Sequence, residues 1–203
     1  MKKMIIVAAL GLFGTQFANA QVKKGDFLVG GNVGISTSSS KTDGVDGKTT
    51  STSFGISPKA GYALSDKWMV GVFVGSSFNN TKNKTVEPNT ESKGNVIIPG
   101  VFVRNYHMLG EKVALFGEAN VGYGFGTQKN NDVKTASTKS IHANVVPGIS
   151  YFVNKRFVLE GVFGGLSYNN IKAKNEVSGV EATESTFDFT FTETFQVGVS
   201  FLF

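Results

Sequence analysis

The chain has 203 residues, a formal net charge of +5 from 20 basic and 15 acidic side chains, and no cysteine. Without cysteine there is no disulfide scaffold and no thiolate metal site, and the mild, dispersed positive charge offers no cluster to track a phosphate backbone, so nucleic acid is not an expected partner. Beyond the amino terminus no segment approaches about 18 uninterrupted apolar residues, so a mature chain that crosses a bilayer must do so as a closed barrel.

The chain opens with Lys2 and Lys3, an apolar run from Met4 to Phe13, and the small-residue site Ala18-Asn19-Ala20. That order is a secretory signal peptide over 1–20, with a mature domain over 21–203. No Cys follows the site, so a lipoprotein anchor is not expected.

The mature chain then alternates apolar and polar residues in eight runs, the period of a strand with two unlike faces. They cover about Asp26 to Thr37, Ser53 to Leu64, Lys67 to Phe78, Asn95 to Tyr106, Val113 to Thr127, Ser140 to Val153, Arg156 to Tyr168 and Phe187 to Phe203. The connections alternate in length. Short ones fall at Ser65-Asp66, His107 to Lys112 and Asn154-Lys155; long polar ones run from Ser38 to Thr52, Asn79 to Gly94, Gln128 to Lys139 and Asn169 to Thr186. In small membrane barrels short turns are periplasmic and long loops extracellular, which predicts both termini in the periplasm and four mobile loops outside. Pro58, Pro99 and Pro147 recur at one point of strands two, four and six, where bulges or bends are expected.

The same alternation would suit a water-soluble barrel, and the composition of the faces decides between the two. One face carries Val29, Val33, Trp68, Val70, Val72, Leu115, Val121, Tyr151, Phe157 and Leu159. The other mixes Gly30, Asn32, Gly71, Gly100, Asn120, Gly122, Gly124 and Asn144 with Phe73, Phe102, Phe116 and Phe152, which is no water-exposed surface. Small residues opposing large aromatics fit the bore of a narrow barrel, leaving the apolar face for lipid. The expected fold is all-β, an eight-stranded antiparallel up-and-down transmembrane β-barrel.

The last eight residues, Gln196-Val-Gly-Val-Ser-Phe-Leu-Phe203, resemble the carboxyl-terminal assembly signal of bacterial outer-membrane barrels, with Gln196, Gly198, Phe201 and Phe203 at the signal positions. With the strand pattern, the mature chain resembles the small outer-membrane β-barrel superfamily, which includes the OmpA transmembrane domain and OmpX-like barrel-only proteins. The resemblance implies residence in the outer membrane, contact with its lipid and lipopolysaccharide, the barrel-assembly machinery as a partner during insertion, and a monomer. It further implies a structural or surface-interaction role, with a surface ligand as a possible partner of the loops; a narrow porin-like channel or small-molecule transporter is the alternative.

Four charges fall on the lumen face: Lys59, Arg104, Glu118 and Glu160. A lone charge in a narrow interior costs several kcal/mol, so the four are expected to pair as one network that plugs the bore or gates it. Catalysis, cofactor and metal are not expected. His107 falls in a short turn; His142 faces the upper lumen near Thr138, Ser140 and Asn144, with no acid close in sequence. The acids Asp43 and Asp46 lack the ligand count of a calcium site, and the glycines from Gly117 to Gly126 alternate along a strand with no helix after them, unlike a phosphate loop. Glu193, alone among charges on the apolar face of the last strand, is expected to mark the outer interface. Phe187, Phe189 and Phe191 would then stand above the hydrocarbon, either contacting lipopolysaccharide or a surface partner or packing against the loop from Asn169 to Thr186.

Overall fold

A computed structural model describes residues 22–41, 47–85, 88–190 and 195–203, excepting the Phe195 side chain. The expected signal peptide, Asp43, Asp46, Phe191 and Glu193 lie outside the described residues.

The chain is all strand: β1 Phe27–Ser40, β2 Thr49–Ala63, β3 Trp68–Asn83, β4 Thr90–Met108, β5 Val113–Asn130, β6 Val133–Phe152, β7 Phe157–Phe163, β8 Leu166–Asn175, β9 Glu181–Phe189 and β10 Phe195–Leu202. Each pairs antiparallel with its neighbours from β1 to β7, and β10 lies between β7 and β1. The sheet is thereby closed into an eight-stranded barrel in which β7 with β8, and β9 with β10, are each one stave in two pieces. The ring closes where Leu28 to Asn32 of β1 meet Leu202 to Gly198 of β10. Phe27 and Phe203 exchange both backbone hydrogen bonds, at 2.9 and 3.1 Å, so the last residue of the chain belongs to the closure.

The interruption of the last two staves departs from the continuous strand that the alternation of Phe187 to Phe203 predicts. Phe163 pairs with Phe195, and Leu166 pairs with Phe189. Between these pairs one stave has only Gly164 and Gly165 while the other has residues 190–194, so the last stave carries surplus residues that alternation alone does not reveal. The two glycines are required there. A Cβ on Gly164 would lie 2.2 Å from the Thr190 carbonyl oxygen, and one on Gly165 would lie 2.2 Å from that of Val145.

Of the bulges or bends expected at the three prolines, a bulge is absent at Pro58 and Pro99. Around Pro58 the β2–β3 ladder passes from the Ile56–Ser76 pair to the Lys59–Phe73 pair, and around Pro99 the β4–β5 ladder passes from Ile97–Phe125 to Gly100–Gly122. In both cases pairing lapses on one side of the proline with no change of register, because a missing N–H removes a ladder bond without adding a residue. Pro147 alone adjoins a shift, since β6 pairs Gly148 with Val162 but Val145 with Leu166.

The long polar connections are also mostly strand. The β5–β6 link is reduced to Asn131 and Asp132, both at positive φ (47° and 65°), the conformation a two-residue hairpin demands and that Asn and Asp tolerate. Ser51 meets Thr81 (3.0 Å), Ser39 meets Thr50 (3.4 Å) and Asn80 donates to Glu91 (2.9 Å). Rungs of Ser, Thr and Asn side chains carry the ladder beyond the apolar belt, so the expected four mobile loops are replaced by long paired hairpins. Their polarity reports solvent on both faces and not lack of structure.

Among the described residues, apolar side chains ring the outside, including Val29, Val72, Val101, Val121, Val145 and Val197, each roughly half exposed or more. An exposed apolar belt of this kind needs lipid. Phe27, Tyr62, Trp68, Phe157 and Phe201 border it at the short-turn end, with Phe27 5.0 Å from Tyr62 and Phe157 5.3 Å from Phe201 between ring centres. Phe54, Phe78, Tyr123 and Phe125 border it at the hairpin end. The core lies inside the lower barrel, where Leu28, Met69, Phe102, Phe116, Phe152, Val158 and Leu202 pack together with Val22 from the segment preceding β1.

Candidate functional site: the lumen

Arg104 is the hub of the lower lumen. It projects inward from β4, exposes none of its surface, and reaches acids on two other strands. Its Nε and Nη2 donate to Glu118 Oε2 at 2.9 and 2.6 Å, while Nη1 donates to Glu160 Oε1 and to the Tyr106 hydroxyl, the latter at 2.8 Å. Lys59 approaches Glu118 from β2 at 3.0 and 3.1 Å, so Glu118 is shared by both cations. The register explains the meeting: Arg104 is directly paired with Glu118 across β4–β5, and the bore is narrow enough for Glu160 on β7 to close the group from the far side.

Aromatic rings fill the space around this cluster. The Arg104 guanidinium carbon lies 4.0 Å from the centre of the Phe116 ring, 5.5 Å from Tyr106 and 5.9 Å from Phe102, and Lys59 lies 5.2 Å from Phe102. Glycines opposite make this possible. A Cβ on Gly148 would stand 2.2 Å from Phe116 Cζ, and one on Gly100 would stand 2.4 Å from Phe73 Cζ. Tyr106 and the Phe cage are absent from the four charges picked out by sequence, although Tyr106 shares the parity of Arg104 and could have been read from it.

Above the plug the lumen is polar, with Ser140 buried and Asn120, His142, Asn144 and Asn169 half-buried. Asn144 Nδ2 donates to Asn120 Oδ1 at 2.9 Å, Ser140 Oγ lies 2.8 Å from His142 Nε2, and His142 Nδ1 lies 2.7 Å from Asn169 Oδ1. Asn169 is 27 residues from His142 and comes beside it only because β8 returns along β6 in the His142–Asn169 register. No local motif signals that partner. His107 belongs to the end of β4, paired with Leu115 and exposed, and not to a turn.

Of the terminal residues, Gln196 Oε1 accepts from Asn32 Nδ2 at 3.0 Å, Gly198 pairs with both Asn32 and Glu160, Phe201 packs against Phe157 with the rings tilted, and Phe203 closes the ring. At the hairpin end Lys93 bridges Glu91 (3.3 Å) and Asp132 (2.9 Å). The Asn80 hydrogen bond, aided by Lys93 and Lys82, holds the Glu91 carboxyl below its ordinary value, and Asp132 raises the Lys93 ammonium while being lowered by it. Phe187 and Phe189 stand exposed on β9.

A family model described as outer membrane protein beta-barrel domain matches residues 5–203. The chain belongs to that family. It is similar in structure to the outer membrane protein OprG of Pseudomonas aeruginosa, with a TM-score of 0.53 at 16% identity over 92% of this chain and 99% of that one. Ail, the attachment invasion locus protein of Yersinia pestis, aligns with a TM-score of 0.42 at 16% identity over 89% of this chain and 99% of its own. Neisserial surface protein A aligns with a TM-score of 0.42 at 19% identity over 88% and 97%. No curated protein matches in sequence. Family and fold together make this chain an outer-membrane β-barrel.

Because Glu118 pairs with both cations, Glu118→Ala is expected to lower stability by on the order of 3 kcal/mol, with a smaller loss for Glu160→Ala, which weakens the pairing of Arg104 alone. Urea unfolding of the barrel in lipid vesicles measures both. Wild-type stability in the two variants would show that the cluster does not support the fold.

Proposed function

We propose that this protein is a closed outer-membrane platform with a structural or surface-interaction role, presenting its four long hairpins outside the cell and holding both termini in the periplasm. The observation that carries the reading is the plug: a fully buried guanidinium, two carboxylates, an ammonium and a cage of aromatic rings occupy one level of the bore. A solute would have to separate charges in a low-dielectric interior to pass, which costs several kcal/mol. A narrow channel is the competing function, and planar-bilayer recording divides the two. The purified barrel should give no stable current at moderate voltage; steady ohmic steps would favour the channel.

The orientation rests on the short turns at one end and the paired polar hairpins at the other. As the chain has no cysteine, single replacements report it directly. Ser178→Cys, in the β8–β9 turn, should react with a membrane-impermeant maleimide on intact cells, and Lys155→Cys should react only after lysis. The reverse pattern would invert the barrel.

Partners follow from the same placement. The exposed Phe187 and Phe189, with Lys139 and Lys172 four or more residues further along the paired strands, suit the acyl and phosphate parts of lipopolysaccharide, and a surface ligand would meet the hairpin ends. During insertion, the strand bearing Gln196, Gly198, Phe201 and Phe203 would be read by the barrel-assembly machinery. Deleting Phe203 should therefore reduce the amount of barrel in the outer membrane of growing cells, and an unchanged amount would argue against that reading.

A further inference from the structure

We propose that Ser140, His142 and Asn169 form an acyl-transfer site in the upper lumen that hydrolyses water-soluble carboxylic esters with short acyl chains. Three side chains from two paired strands stand in one hydrogen-bonded line: Ser140 Oγ to His142 Nε2 at 2.8 Å, and His142 Nδ1 to Asn169 Oδ1 at 2.7 Å. A carboxamide oxygen only accepts, so Nδ1 carries a ring proton, and in the neutral ring Nε2 is then bare and accepts from the serine hydroxyl. A nucleophilic serine needs that arrangement, with its base oriented by a third group.

The surroundings fit a built site. Ser140 is 6% exposed, sheltered from bulk solvent, while His142 and Asn169 are half-buried at the lumen wall. Gly124, paired with Ser140, leaves the space the hydroxyl occupies, since a Cβ there would lie 2.2 Å from Ser140 Oγ and 3.2 Å from His142 Nε2. The same Cβ would lie 3.4 Å from Ile98 Cγ1, which places an apolar side chain beside the serine for the acyl group. One inward pair below His142, Asn144 Nδ2 donates to Asn120 Oδ1 at 2.9 Å and continues the polar wall of the site.

In the reaction Ser140 Oγ bonds to the ester carbonyl carbon as its proton passes to His142 Nε2. The carbonyl C–O bond to the alkoxy group then breaks, and Nε2 returns the proton to the departing alkoxide. Water repeats the two steps on the acyl-serine, releasing the acid and restoring the hydroxyl. Ser140 and His142 are the catalytic residues; Asn169 positions the ring. Because the line faces the bore while Tyr123 and Ile141 face outward, the substrate must enter from the aqueous end of the lumen and not from lipid. This inference is independent of whether the bore conducts.

The test uses the full barrel in detergent, with folding followed by heat-modified gel mobility. A fluorophosphonate probe should label the wild type at Ser140, located by mass spectrometry, and p-nitrophenyl butyrate should be turned over. Ser140→Ala should remove both signals, and His142→Ala should lower turnover by at least about 100-fold. Asn169→Asp, which offers the ring acceptors only, should retain or raise the rate, whereas Asn169→Leu should lower it. A folded wild-type barrel that takes no label, takes it at another serine, or loses nothing in His142→Ala would overturn the assignment. So would a folded Asn169→Asp protein with abolished turnover.

Discussion

A buried guanidinium with nowhere to go sets the terms for the lower half of this barrel. Arg104 has no solvent, and its donors are distributed over Glu118, Glu160 and Tyr106, which lie on three strands including its own. Each of those strands must therefore hold its register, because a slip by one residue would turn the partner side chain to the lipid. Electrostatics and topology thus specify one another: the ladder delivers Glu118 beside Arg104, and the cost of an unpaired charge penalises every ladder but that one. The rings of Phe116, Phe102 and Tyr106 keep water from relaxing this penalty.

The glycines distribute the remaining volume. Eight strands enclose too little space for a full set of inward side chains, and the ring of Phe116 lies over Gly148 as that of Phe73 lies over Gly100. Higher up, Gly124 yields its space to Ser140 and Gly126 to Thr138, so the occupants of the bore change from aromatic to hydroxylic along the same two strands. This change divides the lumen into a dry plug and a polar cup without any change in the wall.

Much of this architecture was legible because a barrel in lipid displays its period openly. Eight staves, their lipid face and the shared lumen face of Lys59, Arg104, Glu118 and Glu160 all follow from parity, a property of single residues. What was not legible depends on pairs. The surplus residues between Phe189 and Phe195 leave both phenylalanines at odd positions, so alternation passes through the interruption unmarked. The Ser and Thr tracts read as loops because polarity on both faces is shared by coil and by strands in water, and only the partner strand tells them apart. Asn169 was hidden for the same reason, as its role exists only in the β6–β8 register.

The two levels of the lumen place different demands on the sequence. In the plug, charge must balance and volume must match, so few substitutions leave it intact. In the cup, half-buried groups reach water, and an exchanged polar side chain leaves no stranded charge. The lower level can therefore carry the specificity of the fold while the upper level and the hairpins vary. A catalytic or binding group needs such a place, because polar side chains held at short distance are tolerated only where the structure does not depend on them for its stability. The Ser140–His142–Asn169 line lies on the cup side of that division, supported from below by a wall that the Arg104 cluster already holds in register.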